Sequence, residues 1–271
     1  MPGVCTRMCS WWDAGTPSVT VVSDHQPDDD YFACMAASAG GHWWYVARRN
    51  LVADALGGRV PHGCVALDVG TGTGEFLDTL TAMGAGVAVG TELSEPAIAT
   101  AVSAPQQRVV VRSVAEHLPL ADGSVDRLTS LDVIEHLDDD LMALHEFRRV
   151  CVPGARIVIT VPAYQSLWSE HDDRAAHRRR YRRRQVCEVV TAAGFTVERA
   201  SYCFSFLVPP AWLLRRTPLR HLVTVTDEEV SSNGGVVDRV LGTLAALERR
   251  WLRRWSLPFG LSIIVVARAG A

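Results

Sequence analysis

The chain has 271 residues, of which 48% are hydrophobic and 21% are charged, and its formal net charge is −3. That much apolar material suffices for one large core or two small ones. All 27 basic residues are arginine, which excludes chemistry that needs a lysine amine, such as Schiff-base catalysis or the Walker phosphate loop. A near-neutral charge balance also argues against a dedicated nucleic-acid-binding domain, which would be basic throughout.

The cysteines and the apolar runs indicate the compartment. Seven cysteines are scattered singly, without a C-x-x-C pair, so we expect neither a disulfide framework nor a zinc site. The first residues lack the charged start and apolar run of a signal peptide, and no stretch of 18 or more apolar residues occurs. We therefore expect a cytoplasmic protein.

Strands and helices alternate through the middle of the chain. A flexible N-terminal extension is predicted over residues 1–26, and a helical pattern follows over residues 28–56. The next predicted elements are strand Val65–Val69, helix Glu75–Met83, strand Gly86–Gly90, a helix from its cap Ser94 to Ser103, strand Arg108–Arg112, strand Asp126–Ile134, helix Asp138–Val150, a turn at Pro153 and Gly154, and strand Arg156–Val161. Such alternation is typical of a parallel sheet covered on both faces.

The C-terminal third has a different pattern. Its predicted elements are helix Gln185–Ala193, strand Phe195–Phe206, helical patches Pro210–Arg216 and Val236–Trp255, and an apolar strand within residues 259–270. A strand, a long excursion and a returning strand indicate a sheet edge with an inserted helical subdomain.

The most informative stretch is VALDVGTGTGEFLDTL. Asp68 lies at the end of the first strand, and Gly70, Gly72 and Gly74 alternate in the turn before a helix. Glycines in such a turn let the backbone approach a ligand closely. A dinucleotide fingerprint would need its third glycine at the position of Glu75, so the spacing departs from the NAD pattern and disfavours an oxidoreductase.

This stretch resembles the first motif of the class I S-adenosylmethionine (SAM)-dependent methyltransferases, Asp-x-Gly-x-Gly-x-Gly. The similarity extends over roughly residues 28–268, with HWWYVARR and H-x-R-R-Y segments that look like a bacterial branch associated with glycan, lipid or secondary-metabolite pathways. The resemblance implies an α/β fold with a Rossmann-like, seven-stranded, mostly parallel sheet whose last strand is antiparallel. It also implies one methyltransferase domain over residues 27–271, with a helical lid insertion at about residues 207–257.

The resemblance implies SAM as the cofactor and S-adenosylhomocysteine as its product. The cofactor-binding residues that it implies are Asp68, Gly70, Thr71, Gly72, Gly74, Glu92, Leu93, Ala115, Glu116 and Asp132. Glu92 would accept hydrogen bonds from the ribose hydroxyls. Many relatives have an aspartate where this chain has Val114, so we expect the backbone at Ala115 and the side chain of Glu116 to hold the adenine instead.

His136 is the candidate catalytic base, because it follows the fourth strand at the edge where open α/β sheets bind ligands. A structural histidine is the alternative, and a divalent metal on Asp132, Glu135 and His136, as in some related quinone O-methyltransferases, is a further one; we predict no metal. The candidate substrate-binding residues are His42, Trp43, Trp44, Tyr164, His171, His177 and Tyr181.

The expected function is methyl transfer to a small-molecule acceptor, with O-methylation slightly favoured. An RNA or protein methyltransferase, or a SAM-fold protein that does not methylate, is the alternative. Seven arginines between residues 174 and 184 form either a solvated face or a site for a phosphorylated or lipid-linked substrate, and we do not favour nucleic acid. Segments 207–216 and 247–255 are candidates for peripheral membrane contact.

Overall fold

The computed structural model describes residues 42–270 apart from 59, 61–62, 105–107 and 211–234. Its helices are α1 (Trp43–Ala55), α2 (Glu75–Ala82), α3 (Glu95–Val102), α4 (Asp140–Val150), α5 (Glu170–Arg174), α6 (Arg183–Ala192) and α7 (Val236–Leu252). Its strands are β1 (Val65–Val69), β2 (Val87–Glu92), β3 (Val109–Arg112), β4 (Val125–Leu131), β5 (Cys151–Pro162), β6 (Phe195–Cys203) and β7 (Ser262–Ala269). The extension predicted over 1–26, residues 28–41 of the predicted helical pattern, and residues 211–216 of the patch predicted over Pro210–Arg216 lie outside the described residues.

The seven strands form one sheet in the order β3-β2-β1-β4-β5-β7-β6. Pairs among β1 to β5 are parallel, and β7 runs antiparallel to both of its neighbours, β5 and β6. The predicted fold class is therefore confirmed. With β1 and β4 adjacent at the centre, the carboxyl ends of the parallel strands lie along one edge of the sheet.

Helices cover both faces of the sheet, and each face has its own apolar core. On one face, Leu144 and Phe147 of α4 and Val190 of α6 pack against the strands. On the other face, Val52 of α1 and Leu77 of α2 belong to a second cluster that also includes residues of α7. The near-continuous apolar runs of β1 and β5 follow from this burial on both faces.

Several predicted boundaries differ from the structure, and three of these differences have a local structural cause. β4 ends at Leu131 and not at Ile134, because a single 3₁₀ turn occupies Ile134–His136. The predicted strand Phe195–Phe206 ends at Cys203, since Phe204 has a left-handed backbone with φ of 58°. The predicted Pro-Gly turn lies inside β5 as an irregularity at which the pairing with β4 shifts register.

A charged clasp joins α1 to α7. Arg249 donates to both oxygens of Asp54 at 2.7 and 2.8 Å, and Arg253 donates to them at 2.8 and 3.2 Å. Burial raises the pKa of Asp54, but the hydrogen bonds from the two arginines outweigh burial and leave that pKa below its usual value. The clasp therefore fixes the two helices against each other on the same face of the sheet.

A bilayer-spanning segment would have to be both long and apolar, and no helix in the described part of the chain meets both conditions.

Phe147 is fully buried between α4 and the sheet, so Phe147→Ala should lower the free energy of unfolding by about 3–5 kcal/mol through lost burial and a residual cavity. Met142 lies in the same helix but is 41% exposed, and Met142→Ala should change that free energy by less than about 1 kcal/mol. Urea denaturation followed by circular dichroism measures both. Equal effects of the two substitutions would contradict the described packing of α4.

Candidate functional site

Backbone strain marks the edge of the sheet where the parallel strands end. Asp132 follows β4, Tyr164 follows β5 and Phe204 follows β6, and all three have positive φ angles of 57–58°. A residue other than glycine held there costs about 1–3 kcal/mol and persists where the surroundings enforce it. In open α/β sheets this is also the edge at which ligands bind. Both observations place the candidate site at the edge where the parallel strands have their carboxyl ends.

The glycine-rich turn after β1 has a geometry that only glycine adopts without strain. Gly70, Gly72 and Gly74 have φ angles of 67°, 56° and 83°. A Cβ added to Gly70 would lie 2.4 Å from Cγ2 of Val133, so the turn is packed directly against the segment after β4. The turn thereby brings exposed backbone to the site edge without side chains in the way.

The side chain of Asp68, near the end of β1, is hydrogen-bonded to this turn. Its buried carboxylate accepts hydrogen bonds from the Thr71 hydroxyl at 2.8 Å and from the Thr129 hydroxyl at 2.6 Å. Burial raises the pKa of Asp68 to about 6, in spite of these two hydrogen bonds. Thr71 was predicted as a cofactor residue, and the structure shows that its hydroxyl orients the Asp68 carboxylate.

Glu92, at the end of β2, ties the second strand to the same turn. One carboxylate oxygen accepts from the backbone N–H of Gly72 at 2.8 Å, and the other accepts from Leu93 and Ser94 at 2.8 and 3.0 Å. A carboxylate offers about four lone-pair positions, so these three contacts leave capacity for a ligand hydroxyl. The predicted adenine segment joins this edge because Ser113, just before it, donates its backbone N–H to the Glu92 carbonyl at 3.0 Å.

Arg48 is a residue of the site that no motif in the sequence predicts. Arg48 of α1 forms an ion pair with the strained Asp132, whose other oxygen accepts from the Thr160 hydroxyl at 3.1 Å. Both partners of the ion pair are about three-quarters buried, with 22% and 25% of the side chains exposed. The only sequence signal for this contact is the position of Arg48 within the HWWYVARR segment.

Aromatic side chains from α1 and the segment after β6 form one wall. The ring of Trp44 lies 4.1 Å from that of Phe204, measured between centroids, and Trp43 packs against Phe206 at 6.2 Å. Trp43 is only 7% exposed, whereas Trp44 is half-buried. His42 caps α1 by accepting from the backbone N–H of Trp44 at 3.3 Å.

Of the other predicted substrate residues, some lie at the site edge and one is internal. Tyr164 stacks on Tyr202 with ring centroids 5.0 Å apart. Tyr164 follows β5 and Tyr202 is the second-last residue of β6, so both lie at the site edge of the sheet. Tyr181 is buried, and its hydroxyl donates to Asp140 at 2.6 Å. Tyr181, like Trp43, is therefore positioned to pack the interior and to fix the loop before α6.

The 3₁₀ turn after β4 brings two ionisable groups against the loop that precedes α6. Burial, and then the adjacent His177, lower the pKa of His136 to about 4. Burial, followed by the charge of Asp132, raises the pKa of Glu135 well above its ordinary value. His171 lies 6.0 Å from His177 between ring centroids. The structure thus brings the candidate base His136 together with His171 and His177, two of the candidate substrate-binding residues.

The raised pKa of Asp68 makes the free energy of unfolding depend on pH. The folded protein keeps this proton up to about pH 6, whereas an unfolded aspartate releases it near its model value of 3.8, so stability is lost as the pH rises through this window. Asp68→Asn removes the charge, and it should raise the free energy of unfolding by up to about 3 kcal/mol at pH 7.5 and by little at pH 4.

Denaturant titrations at the two pH values measure this difference. The control is Asp122→Asn, because Asp122 is 81% exposed in its ion pair with Arg149, and it should change stability by less than about 1 kcal/mol at either pH. A destabilised Asp68→Asn variant at pH 7.5 would contradict the assignment.

Comparisons with known proteins identify related sequences and folds. Residues 67–159 match the family model described as "Methyltransferase domain". A probable S-adenosylmethionine-dependent methyltransferase of Mycolicibacterium smegmatis is 33% identical over 147 residues, which are 52% of this chain and 56% of that protein. The chain spans about half the length of the curated relatives it matches.

Solved structures share the fold. The phosphoethanolamine N-methyltransferase 2 of Haemonchus contortus, in complex with S-adenosyl-L-methionine, has a TM-score of 0.59 and 16% identity, covering 90% of this chain and 58% of that one. The [4+2]-cyclase SpnF has a TM-score of 0.60 and 19% identity, covering 90% and 94%. The segment that matches the family model runs from β1 to β5 and contains the glycine turn, Glu92 and Asp132.

Proposed function

We propose that the protein transfers a methyl group from SAM to a small-molecule acceptor, which is a secondary metabolite, a glycan or a lipid-linked intermediate, with an oxygen acceptor slightly favoured. The observation that carries the proposal is the glycine turn, in which three left-handed glycines are tied by the Glu92 carboxylate to the ends of β1 and β2.

The residues at this edge fit such a cofactor. Glu92 has acceptor capacity for the ribose hydroxyls. The backbone at Ala115 and the side chain of Glu116, which follow β3 in the chain, would hold the adenine. The glycine turn and Asp132 would flank the amino-acid part. When bound, the cofactor supplies an electrophilic methyl group on a sulfonium centre. The rings of the aromatic wall provide π-faces suited to a cation, whereas the charge of Asp132 is already paired with Arg48.

The contribution of the chain to the reaction is mainly positioning. Trp44, Phe204 and Tyr164 enclose the edge and would orient an acceptor and exclude water, and such positioning supplies roughly 7–11 kcal/mol of a barrier. An amine acceptor needs no strong base, whereas a hydroxyl acceptor must lose a proton. His136 is neutral at physiological pH because its pKa is about 4, so it can accept a proton but is a weak base.

The arginine-rich segment supports a small acceptor over RNA. Arg180 donates to both oxygens of Asp172 at 2.6 and 3.0 Å, Arg184 donates to Glu188 at 2.7 Å, and Arg179 donates to two backbone carbonyls. These guanidinium groups already serve the protein's own acceptors, which weakens the case for a polyanion site. The SpnF fold likeness is the reason to retain, as a second candidate, a SAM-fold protein that does not methylate.

Peripheral membrane contact is part of the proposal. Leu247, Trp251 and Trp255 are 61%, 54% and 61% exposed, and arginines at 250, 253 and 254 flank them. An amphipathic segment of tryptophan and arginine suits the headgroup region of an anionic bilayer. This surface would bring the enzyme to a lipid-linked acceptor.

Cofactor binding is tested by calorimetric titration of the full chain with SAM and with S-adenosylhomocysteine. Glu92→Gln should weaken both affinities about 10–100-fold, because it removes charge-assisted hydrogen bonds of about 1.5–3 kcal/mol. Glu95→Gln is the matched control, since Glu95 is an exposed acid three residues away, and it should bind normally. Failure of the folded protein to bind either ligand, or tighter binding of NAD, would overturn the proposed function.

Membrane contact is tested by co-sedimentation with vesicles of phosphatidylcholine and phosphatidylglycerol. The double variant Trp251→Ser with Trp255→Ser should lose at least about tenfold in vesicle binding, and added salt should weaken the wild type. Val109→Ser is the control, because Val109 is 52% exposed on the far edge strand β3. Equal binding of all three proteins, or none by the wild type, would refute the contact.

A further inference from the structure

Three side chains with metal-ligating atoms converge beside the proposed acceptor site. Glu135 and His136 belong to the 3₁₀ turn after β4, and His177 belongs to the loop between α5 and α6. One ligand atom from each residue lies within 4.8 Å of the other two. The chain thus brings together two imidazoles and one carboxylate from segments about 40 residues apart in sequence.

Glu135 is the least expected member of this cluster. Its side chain is fully buried, and among the described residues neither carboxyl oxygen has a hydrogen-bond partner. Buried polar atoms in native proteins are almost always satisfied, and a buried carboxylate is normally paired or bound to a metal. A cation in contact with Glu135 would provide the missing partner.

His177 has the support that metal-binding histidines commonly have. Its Nδ1 lies 2.8 Å from an oxygen of Asp172, and because an ionised carboxylate can only accept, Nδ1 carries the proton. The lone pair is then on Nε2.

Asp172 is itself held in place. It accepts from Nε and Nη2 of Arg180 at 2.6 and 3.0 Å and from the backbone N–H of Ser169 at 2.8 Å. A carboxylate that fixes the ring and tautomer of a ligating histidine is a recurrent feature of metal sites.

His136 completes the donor set. Its ring lies 4.7 Å from that of His177 between centroids. A neutral imidazole that is protonated on one nitrogen presents a lone pair on the other, and a His136 that binds a metal through this lone pair does not act as the base.

In place of the metal-free site that the sequence predicts, we propose that Glu135, His136 and His177 bind one divalent transition-metal ion, such as Zn²⁺ or Co²⁺, through one carboxylate oxygen and two imidazole nitrogens. Two histidines and one carboxylate are a donor set of transition-metal sites that leaves a coordination position open. An oxygen of the acceptor would take that position. This role of the metal rests on the proposed function. Metal binding as such does not depend on that role.

Metal binding is tested with Co²⁺ as the spectroscopic probe, added to the full chain after treatment with a chelator. One equivalent should bind with visible d–d absorption bands, and Zn²⁺ should displace it and raise the melting temperature. Glu135→Gln and His177→Gln should each lose at least about tenfold in affinity. Asp172→Asn should lose about 10–100-fold through the misoriented ring.

His145→Gln is the matched control, since His145 is exposed on α4, and it should bind Co²⁺ as the wild type does. Circular dichroism verifies folding, and if His177→Gln does not fold, Glu135→Gln decides. Absence of stoichiometric Co²⁺ or Zn²⁺ binding, or binding unchanged in Glu135→Gln, would overturn the proposal. SAM titration of Glu135→Gln in chelator separates the two proposals, because loss of the metal alone leaves cofactor binding intact.

Discussion

Burial of the Asp68 carboxyl is the constraint on which the rest of the site depends. The group lies at the end of the central strand β1, where its partners are two threonine hydroxyls, Thr71 in the turn and Thr129 in β4. These contacts lock the glycine turn against the neighbouring strand, and the turn in turn offers the Gly72 N–H to Glu92. Two carboxylates on adjacent strands therefore fix one loop from opposite sides. Burial of Asp68 costs free energy, and the contacts that hold the buried carboxyl keep this edge of the sheet ordered before a ligand binds.

Helices α1 and α7 and the segment after β6 form a second unit beside that edge. Glu248 of α7 accepts from the backbone N–H groups of Phe204 and Ser205, while Asp54 of α1 receives the two arginines of the clasp. Helices α1 and α7 and the segment after β6 are consequently linked to one another by charge-assisted hydrogen bonds. Arg48 reaches the site from this unit, so a displacement of α1 would change the ion pair on Asp132 directly.

Local patterns in the sequence predicted most of the fold. The alternation of apolar strands and amphipathic helices, the glycine spacing and the cap at Ser94 are all properties of short stretches, and Ser94 accepts from the backbone N–H of Ala97 as expected. The irregularity inside β5 was interpreted as a turn because Pro-Gly is a turn signal locally, and only the pairing with β4 shows that the strand continues through it.

The composition of the site was harder to predict, because its contacts join distant segments. Arg48 and Asp132 are 84 residues apart, and no local signal pairs them. Trp43 and Trp44 are adjacent, but successive helical residues differ by about 100° around the axis, so one is packed inside and the other lies at the edge. Likewise, a run of arginines looks like a solvated face in the sequence, although Arg180 is almost fully buried against Asp172, with 7% of its side chain exposed.

The position of β7 has a consequence for how the sheet is assembled. β7 lies between β5 and β6, which both precede it in the chain, and it is antiparallel to each. Until β7 has been synthesised, β5 and β6 have no shared neighbour and present open backbone edges that can pair with other chains. Completion of the sheet therefore requires a late, long-range insertion, and such non-local pairing is slow. A nascent chain that lacks β7 should depend on chaperones more strongly than the full chain does.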